Sequence, residues 1–404
     1  MRFFYVDSGL SDNVGHNGNS CRLIAGELKR RGVETRIFAA QTVDSVLRGE
    51  LGAAAHFRCH AFWKSDGDPI CGWLSAFHIS TRVTVEDLAR MGDVAADDVV
   101  YVNSAMPPQF MATIQWLGSL PPARRPRVVM EFGVDPGIVM GGGSDGRGWS
   151  LREGEAGQRA ILFRFVAKHL QGDGLPQLKL ATFDKDSSLA FSTLLDRPLE
   201  VLPVPREAGR PPRRRSMLRP LTVGVVGHQR AEKGYHLMPE IARLLLAAHP
   251  DIRLLVHNSA PGEMPKTQQA LKQLAAADTR LTVDERAMGP GPWADLLESL
   301  DLVLCPYFPE RFATSYSSVA SEALASGLPM IVPAGTSLSR VMTEQNGAGT
   351  TFERFDPPSI ASAVGQAVAQ ADDLAGRAMT AAETWRARHG ARATVDAILA
   401  LAKA

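Results

Sequence analysis

The 404-residue sequence holds only four cysteines, Cys21, Cys59, Cys71 and Cys305, and no two form a Cys-x-x-Cys pair. That excludes a disulfide scaffold, and lone cysteines of this kind behave as small apolar side chains. The stretch "HFRCH" at 56–60, with Cys71 and His78 downstream, contains zinc-type residues at the spacing of no standard finger, so no metal site is expected. Long apolar runs are missing too. Nothing approaches the roughly 18 uninterrupted apolar residues of a membrane span, and "MRFFYVDSGL" reads as a first strand rather than a secretory leader. The expected compartment is the cytoplasm. Neither charge is in excess: 44 Lys and Arg against 43 Asp and Glu leave +1. No global field therefore draws the protein to nucleic acid.

What is present is alternation. Short β-branched or aromatic runs at 2–7, 34–40, 98–104, 127–133, 178–184 and 199–204 are separated by stretches of helical period, the clearest at 20–32. Residues 203–220, with five prolines and six arginines, interrupt the pattern, and their arginines read as a solvated charge run. Strands then resume at 221–227, 252–258, 280–285, 302–307 and 329–334, with helices expected at 234–247, 265–276, 292–300 and 317–326. This predicts an α/β chain of two doubly wound, Rossmann-like domains facing a cleft: 1–203, a linker at 204–220, and 221–380. Such sheets bind ligands beyond the carboxyl ends of their strands. The segment 146–171 combines Leu162, Phe163, Phe165 and Val166 with Arg152, Arg159, Arg164 and Lys168. That pattern suits a helix packed on its own domain better than one lying on a bilayer, so peripheral membrane contact is the lesser expectation.

Two strand-end loops carry chemistry. "GHQRAEKGYH" (227–236) places Gly227, Arg230 and Lys233 between a buried strand and a helix, where free backbone N–H groups favour an anion. In "CPYFPERFATSYSSVASEALASGLPMIVP", Ser315 to Ser318 are expected to start a helix, with Glu322 one to two turns inside it among small residues. A carboxylate there can accept two ribose hydroxyls.

Taken with "DLLESLDLVLCPY", these stretches resemble the C-terminal nucleotide-sugar domain of retaining GT-B glycosyltransferases of group 1 (family four), over about residues 221–370. Members show a Gly-Arg-x₄-Lys-Gly turn and a Glu-x₇-Glu segment running into Glu-Ala-x-Ala-x-Gly-x-Pro. The resemblance implies transfer of a glycosyl unit, with retention, from a nucleoside-diphosphate sugar to a sugar, lipid-linked or small-molecule acceptor. It implies a donor site of Gly227, His228, Lys233, Thr314, Ser315, Tyr316, Ser317, Ser318 and Glu322. Lys233 and Arg230 would neutralise the leaving diphosphate, so no metal or other cofactor is expected. It further implies a helix within 381–404 that crosses back to the first domain.

Three positions depart from the family pattern. His228 stands where members have Arg, Thr314 where they have the first Glu of Glu-x₇-Glu, and Phe132 where they carry a histidine near the reacting sugar. Glu131 and Asp135 are the ionisable residues nearby, each readable as catalytic or as a strand-end or turn residue. The loop "DSGLSDNVGHNGNS" lies where the family has a glycine-rich turn. It offers Gly15, His16, Asn17 and Gly18, and Asn103 ends a neighbouring strand. Two rival readings share the architecture: a nucleotide-sugar epimerase, and a non-catalytic sugar-nucleotide or glycan-binding protein.

Overall fold

A computed structural model describes residues 1–12, 16–63, 72–141, 148–170, 175–206, 210–212, 219–345 and 348–404, with His16 described by its backbone only. The chain divides into two compact units, Met1–Pro205 with Gly390–Ala404, and Arg206–His389.

The first unit is built on a parallel sheet of β1 (Phe3–Asp7), β2 (Thr35–Ala40), β3 (Ala54–Phe57), β4 (Val99–Val102), β5 (Arg127–Glu131), β8 (Leu178–Thr182) and β9 (Glu200–Val201). Their order is β3-β2-β1-β4-β5-β8-β9. The remaining two strands, β6 (Ile138–Met140) and β7 (Trp149–Leu151), form a separate antiparallel ribbon. All five residues of β1, "FFYVD", are buried, as a parallel sheet covered on both faces demands. Phe132 lies in the core beneath, its ring 5.3, 5.1 and 4.9 Å from those of Phe110, Phe163 and Phe191. The helix Ala391–Leu401 packs on His16–Arg30 in this unit, tied by an Arg31–Asp396 ion pair of 2.6 Å. It follows Gly390, whose φ is +101°.

The second unit carries β10 (Leu221–Val225), β11 (Ile252–His257), β12 (Leu281–Asp284), β13 (Leu302–Leu304), β14 (Met330–Pro333) and β15 (Gly349–Phe352), all parallel, in the order β12-β11-β10-β13-β14-β15. Leu221, Val223 and Val225 meet Met238, Ile241 and Leu245 of the helix Met238–Ala248 in its core. Burying each such side chain contributes about 2 kcal/mol.

Several expectations are corrected. The first helix starts at His16 rather than near residue 20, so Asn17 and Gly18 belong to its first turn and not to a loop. The helix expected from 234 begins at Met238, after two 3₁₀ turns, Ala231–Lys233 and Tyr235–Leu237, divided by Gly234 in the left-handed region. Ser318–Ala325 is the helix bearing Glu322; Ser317 caps it, and Ser315 and Tyr316 precede it. The segment 146–171 holds β7 and the helix Gly154–Ala167, which buries Leu162, Phe163 and Val166 in its own unit and leaves Ile161 and Phe165 exposed. No helix of the described residues is long and apolar enough to cross a membrane.

Candidate functional site

In each unit the strand order reverses once: between β1 and β4 in the first, between β10 and β13 in the second. A doubly wound sheet opens a crevice at that point, beyond the carboxyl ends of the two strands.

In the second unit the crevice is lined by the turn after β10 and the segment after β13. Gly227 has φ +112°, a backbone that L side chains rarely adopt. A Cβ there would lie 3.2 Å from Val319 Cγ2 and 3.9 Å from Lys233 Nζ, so the turn, the ammonium and the start of Ser318–Ala325 converge. Gly234 is equally constrained: its φ is +69°, and a Cβ would fall 1.8 Å from the Pro306 carbonyl oxygen. Its bareness lets the turn lie directly on the chain leaving β13. The Phe308 N–H donates to the Glu232 carbonyl at 2.9 Å, closing the second contact between these segments.

Lys233 is half-buried, its ammonium 5.6 Å from the Tyr307 ring centroid, within cation–π range. Burial pushes this ammonium down to about 8; the nearby Cys305 and Glu232 oppose the shift, and Arg230 adds to it. Among the described residues Lys233 forms no ion pair, whereas its basic neighbours are engaged. His228 Nε2 is 2.8 Å from Glu263 Oε1, and Arg230 Nε is 3.5 Å from Glu263 Oε2.

A buried network holds the turn. The Gly227 N–H donates to His257 Nδ1 at 3.2 Å, so His257 Nε2–H donates to the Arg286 carbonyl at 2.8 Å and the ring is neutral. Burial is the leading cause that lowers its pKa. Asn258 Oδ1 accepts from the Gln229 N–H at 3.2 Å, and Gln229 Nε2–H donates to the His257 carbonyl at 3.1 Å.

The second loop forms the opposite wall. Ser317 Oγ accepts from the Ala320 N–H at 3.3 Å as the helix cap. Ser318 is the first helical residue, and Ser315 is buried, with its carbonyl accepting from Ser337 Oγ. Thr314 is buried. Burial raises the Tyr316 phenol, which lies beside Arg206 and Glu322. Glu322 accepts from the Trp293 indole N–H and stands 3.5 Å from Arg206 Nε. Arg206 is only 2% exposed, and its carbonyl accepts from Trp385 Nε1–H at 3.4 Å. The linker pattern predicts solvated arginines; Arg206 is instead a buried partner of Glu322.

At the first unit's crevice, Asn103 and Asn17 meet on Asp7. Asn103 Nδ2–H donates to Asp7 Oδ2 at 2.9 Å, Asn17 Nδ2–H to Oδ1 at 3.4 Å, and the Gly9 N–H to Oδ1 at 2.9 Å. Burial pushes the Asp7 carboxyl up to about 7, against the pull of these donors. Beside it Ser104, at φ +51°, donates its N–H to Glu131 Oε2 at 2.9 Å. Glu131 is thus a buried strand-end carboxylate. Asp135 belongs elsewhere: it accepts from the Gly137 N–H at 3.0 Å and lies 3.7 and 3.9 Å from Arg152 and Arg159, bracing the β6–β7 ribbon against its helix. Gly15 and the His16 side chain lie outside the described residues. Phe132, expected beside the reacting sugar, is a core ring, because its side chain points from the end of β5 into the aromatic cluster.

Trp293, His257, Arg206 and Asp7 escape sequence reasoning. Only Asp7, a carboxylate ending an apolar strand, left a local signal.

The two Rossmann-like units define the fold of the GT-B glycosyltransferases. Residues 220–370 match the sequence model of the family described as "Glycosyl transferases group 1". No curated protein sequence matches the chain. Among solved structures, sucrose-phosphate synthase from Thermosynechococcus elongatus superposes with a TM-score of 0.68 at 13% identity, covering 100% of this chain and 98% of that one. Anabaena HepE in complex with UDP gives 0.62 at 13% identity, covering 98% of each chain. WaaG, a glycosyltransferase involved in lipopolysaccharide biosynthesis, gives 0.60 at 15% identity, covering 99% of each. The matched residues lie within the second unit.

Proposed function

We propose that the protein transfers a glycosyl unit from a nucleoside-diphosphate sugar to an acceptor hydroxyl with retention of anomeric configuration, and that the second unit's crevice binds the donor. One observation carries this: Lys233 forms no ion pair among the described residues and sits at a sheet switch point beside the glycine turn and a helix N-terminus. An ammonium whose pKa is lowered by burial is stabilised by an incoming anion, and a diphosphate supplies one.

Cleavage of the glycosidic bond places further negative charge on the departing diphosphate. Lys233 and the N-terminus of the helix Ser318–Ala325 therefore stabilise the transition state more than the ground state. Arg230 joins them when phosphate replaces Glu263 as its partner. Glu322 receives the ribose, and Ser317 and Ser318 line the approach. Glu131 and Asp135 are buried and each accepts from a backbone N–H group, at Ser104 and Gly137, which gives both a positioning role in this reading. Retention is supported by the resemblance over 221–370. The first unit, with its polar groups at the β1/β4 crevice, is the acceptor side; sugar, lipid-linked and small-molecule acceptors all present the hydroxyl this chemistry needs.

Calorimetry with UDP, GDP, ADP and dTDP is the direct test, since HepE is a UDP-bound structural relative. One of them is expected to bind in the micromolar range, and its sugar conjugate to yield a product with the donor's anomeric configuration by proton NMR. Absence of binding by all four ends the proposal.

A further inference from the structure

Glu322 is not open in this structure. The indole N–H of Trp293 donates to its Oε2, and Arg206 Nε stands 3.5 Å from its Oε1. Only 8% of the residue is exposed, so a ligand bearing two hydroxyls reaches the carboxylate only by displacing a neighbour. Arg206 is a poor candidate to leave, being buried and held through its carbonyl by Trp385. Trp293 is half-buried, in the helix Pro290–Glu298. Its ring centroid is 5.8 Å from that of His257, the side chain that orients the Gly227 amide. The indole thus touches both halves of the proposed donor site, the anchor of the phosphate turn and the ribose carboxylate.

We infer that Trp293 is a specificity-determining residue whose indole N–H occupies the place of a ribose hydroxyl on Glu322 and is exchanged for that hydroxyl when a ribonucleoside diphosphate binds. This rests on the donor-site reading above. A ribose restores the hydrogen bond that the indole gives up; a deoxyribose leaves the exchange incomplete and a buried carboxylate short of a donor, which is costly. Arg206 balances the charge of Glu322 in both states.

The test is Trp293→Phe, which keeps a ring against His257 and deletes the N–H. Calorimetry compares wild type and variant with UDP, GDP and ADP, with the 2′-deoxy and 3′-deoxy forms of whichever binds, and with inorganic pyrophosphate. The variant is expected to bind the ribonucleoside diphosphate about threefold to tenfold more tightly, since no indole bond is broken, with pyrophosphate affinity unchanged. In the wild type, titration with the nucleotide is expected to change tryptophan emission, and the change is expected to vanish in the variant. Unchanged or weaker ribonucleotide binding by the variant, with pyrophosphate still bound, overturns the role of Trp293 and leaves the donor site standing. Failure of the wild type to bind pyrophosphate or any nucleotide overturns the donor site itself.

Discussion

Lys233 shows how one residue couples folding to binding. Its ammonium is held at about 8 rather than the usual 10.5, chiefly by burial. The native state therefore holds fewer protons than the unfolded chain between pH 8 and 10.5, and this residue's contribution to stability rises with pH across that window. Below it, the empty site bears the cost of a poorly solvated charge. Lys233→Met is thus expected to raise the melting temperature of the ligand-free protein at pH 7 while removing diphosphate binding. In the wild type, a bound diphosphate raises the ammonium pKa again. Nucleotide affinity should be full below pH 8 and fall toward tenfold per unit above it, with proton uptake on binding. A flat affinity from pH 7 to 10, measured in buffers of different ionisation enthalpy, would contradict this.

At the scale of elements, the turn after β10 is defined by what cannot be placed in it. Gly234 separates two 3₁₀ turns, and the Pro306 carbonyl occupies the space a Cβ would need. A backbone atom cannot swing aside as a flexible side chain can, so Gly234→Ala is expected to cost about 3 kcal/mol in urea unfolding and to weaken nucleotide binding by moving Lys233. A variant as stable as wild type would show that the turn relaxes freely. Most strands were legible because a buried parallel strand is a continuous apolar run. β3, β6, β7 and β15 were not, since runs of three or four residues are too short to carry a period. Pairing with Phe38–Ala40 and with Met330–Pro333 makes β3 and β15 strands, and β6 and β7 pair with each other.

For the whole molecule, stability against pH is shaped by buried carboxyls as well as by Lys233. Asp7 is raised to about 7 and Asp184 to about 6, burial being the main cause in both. Native carboxyls with raised pKa retain protons that the unfolded chain releases near pH 4. The contribution of these two residues is therefore largest at acid pH and is lost as pH rises to about 7. Asp7→Asn keeps the size of the side chain and removes its charge. Its unfolding free energy should lose less between pH 4 and pH 8 than that of wild type, by a few kcal/mol. Parallel urea-midpoint curves for the two proteins would exclude Asp7 as a source of the slope.

The alternation of strand and helix, the two-part organisation and the basic turn that carries Lys233 are legible in the chain, because each depends on residues near one another along it. Tertiary structure alone decided which side chains meet. Phe132 went to an aromatic core, Arg206 left the linker to face Glu322, and Trp293 came 29 positions along the chain to donate to the same carboxylate. Side-chain partners at a sheet's carboxyl end come from loops far apart in sequence, and strand order, which no local pattern encodes, brings them together.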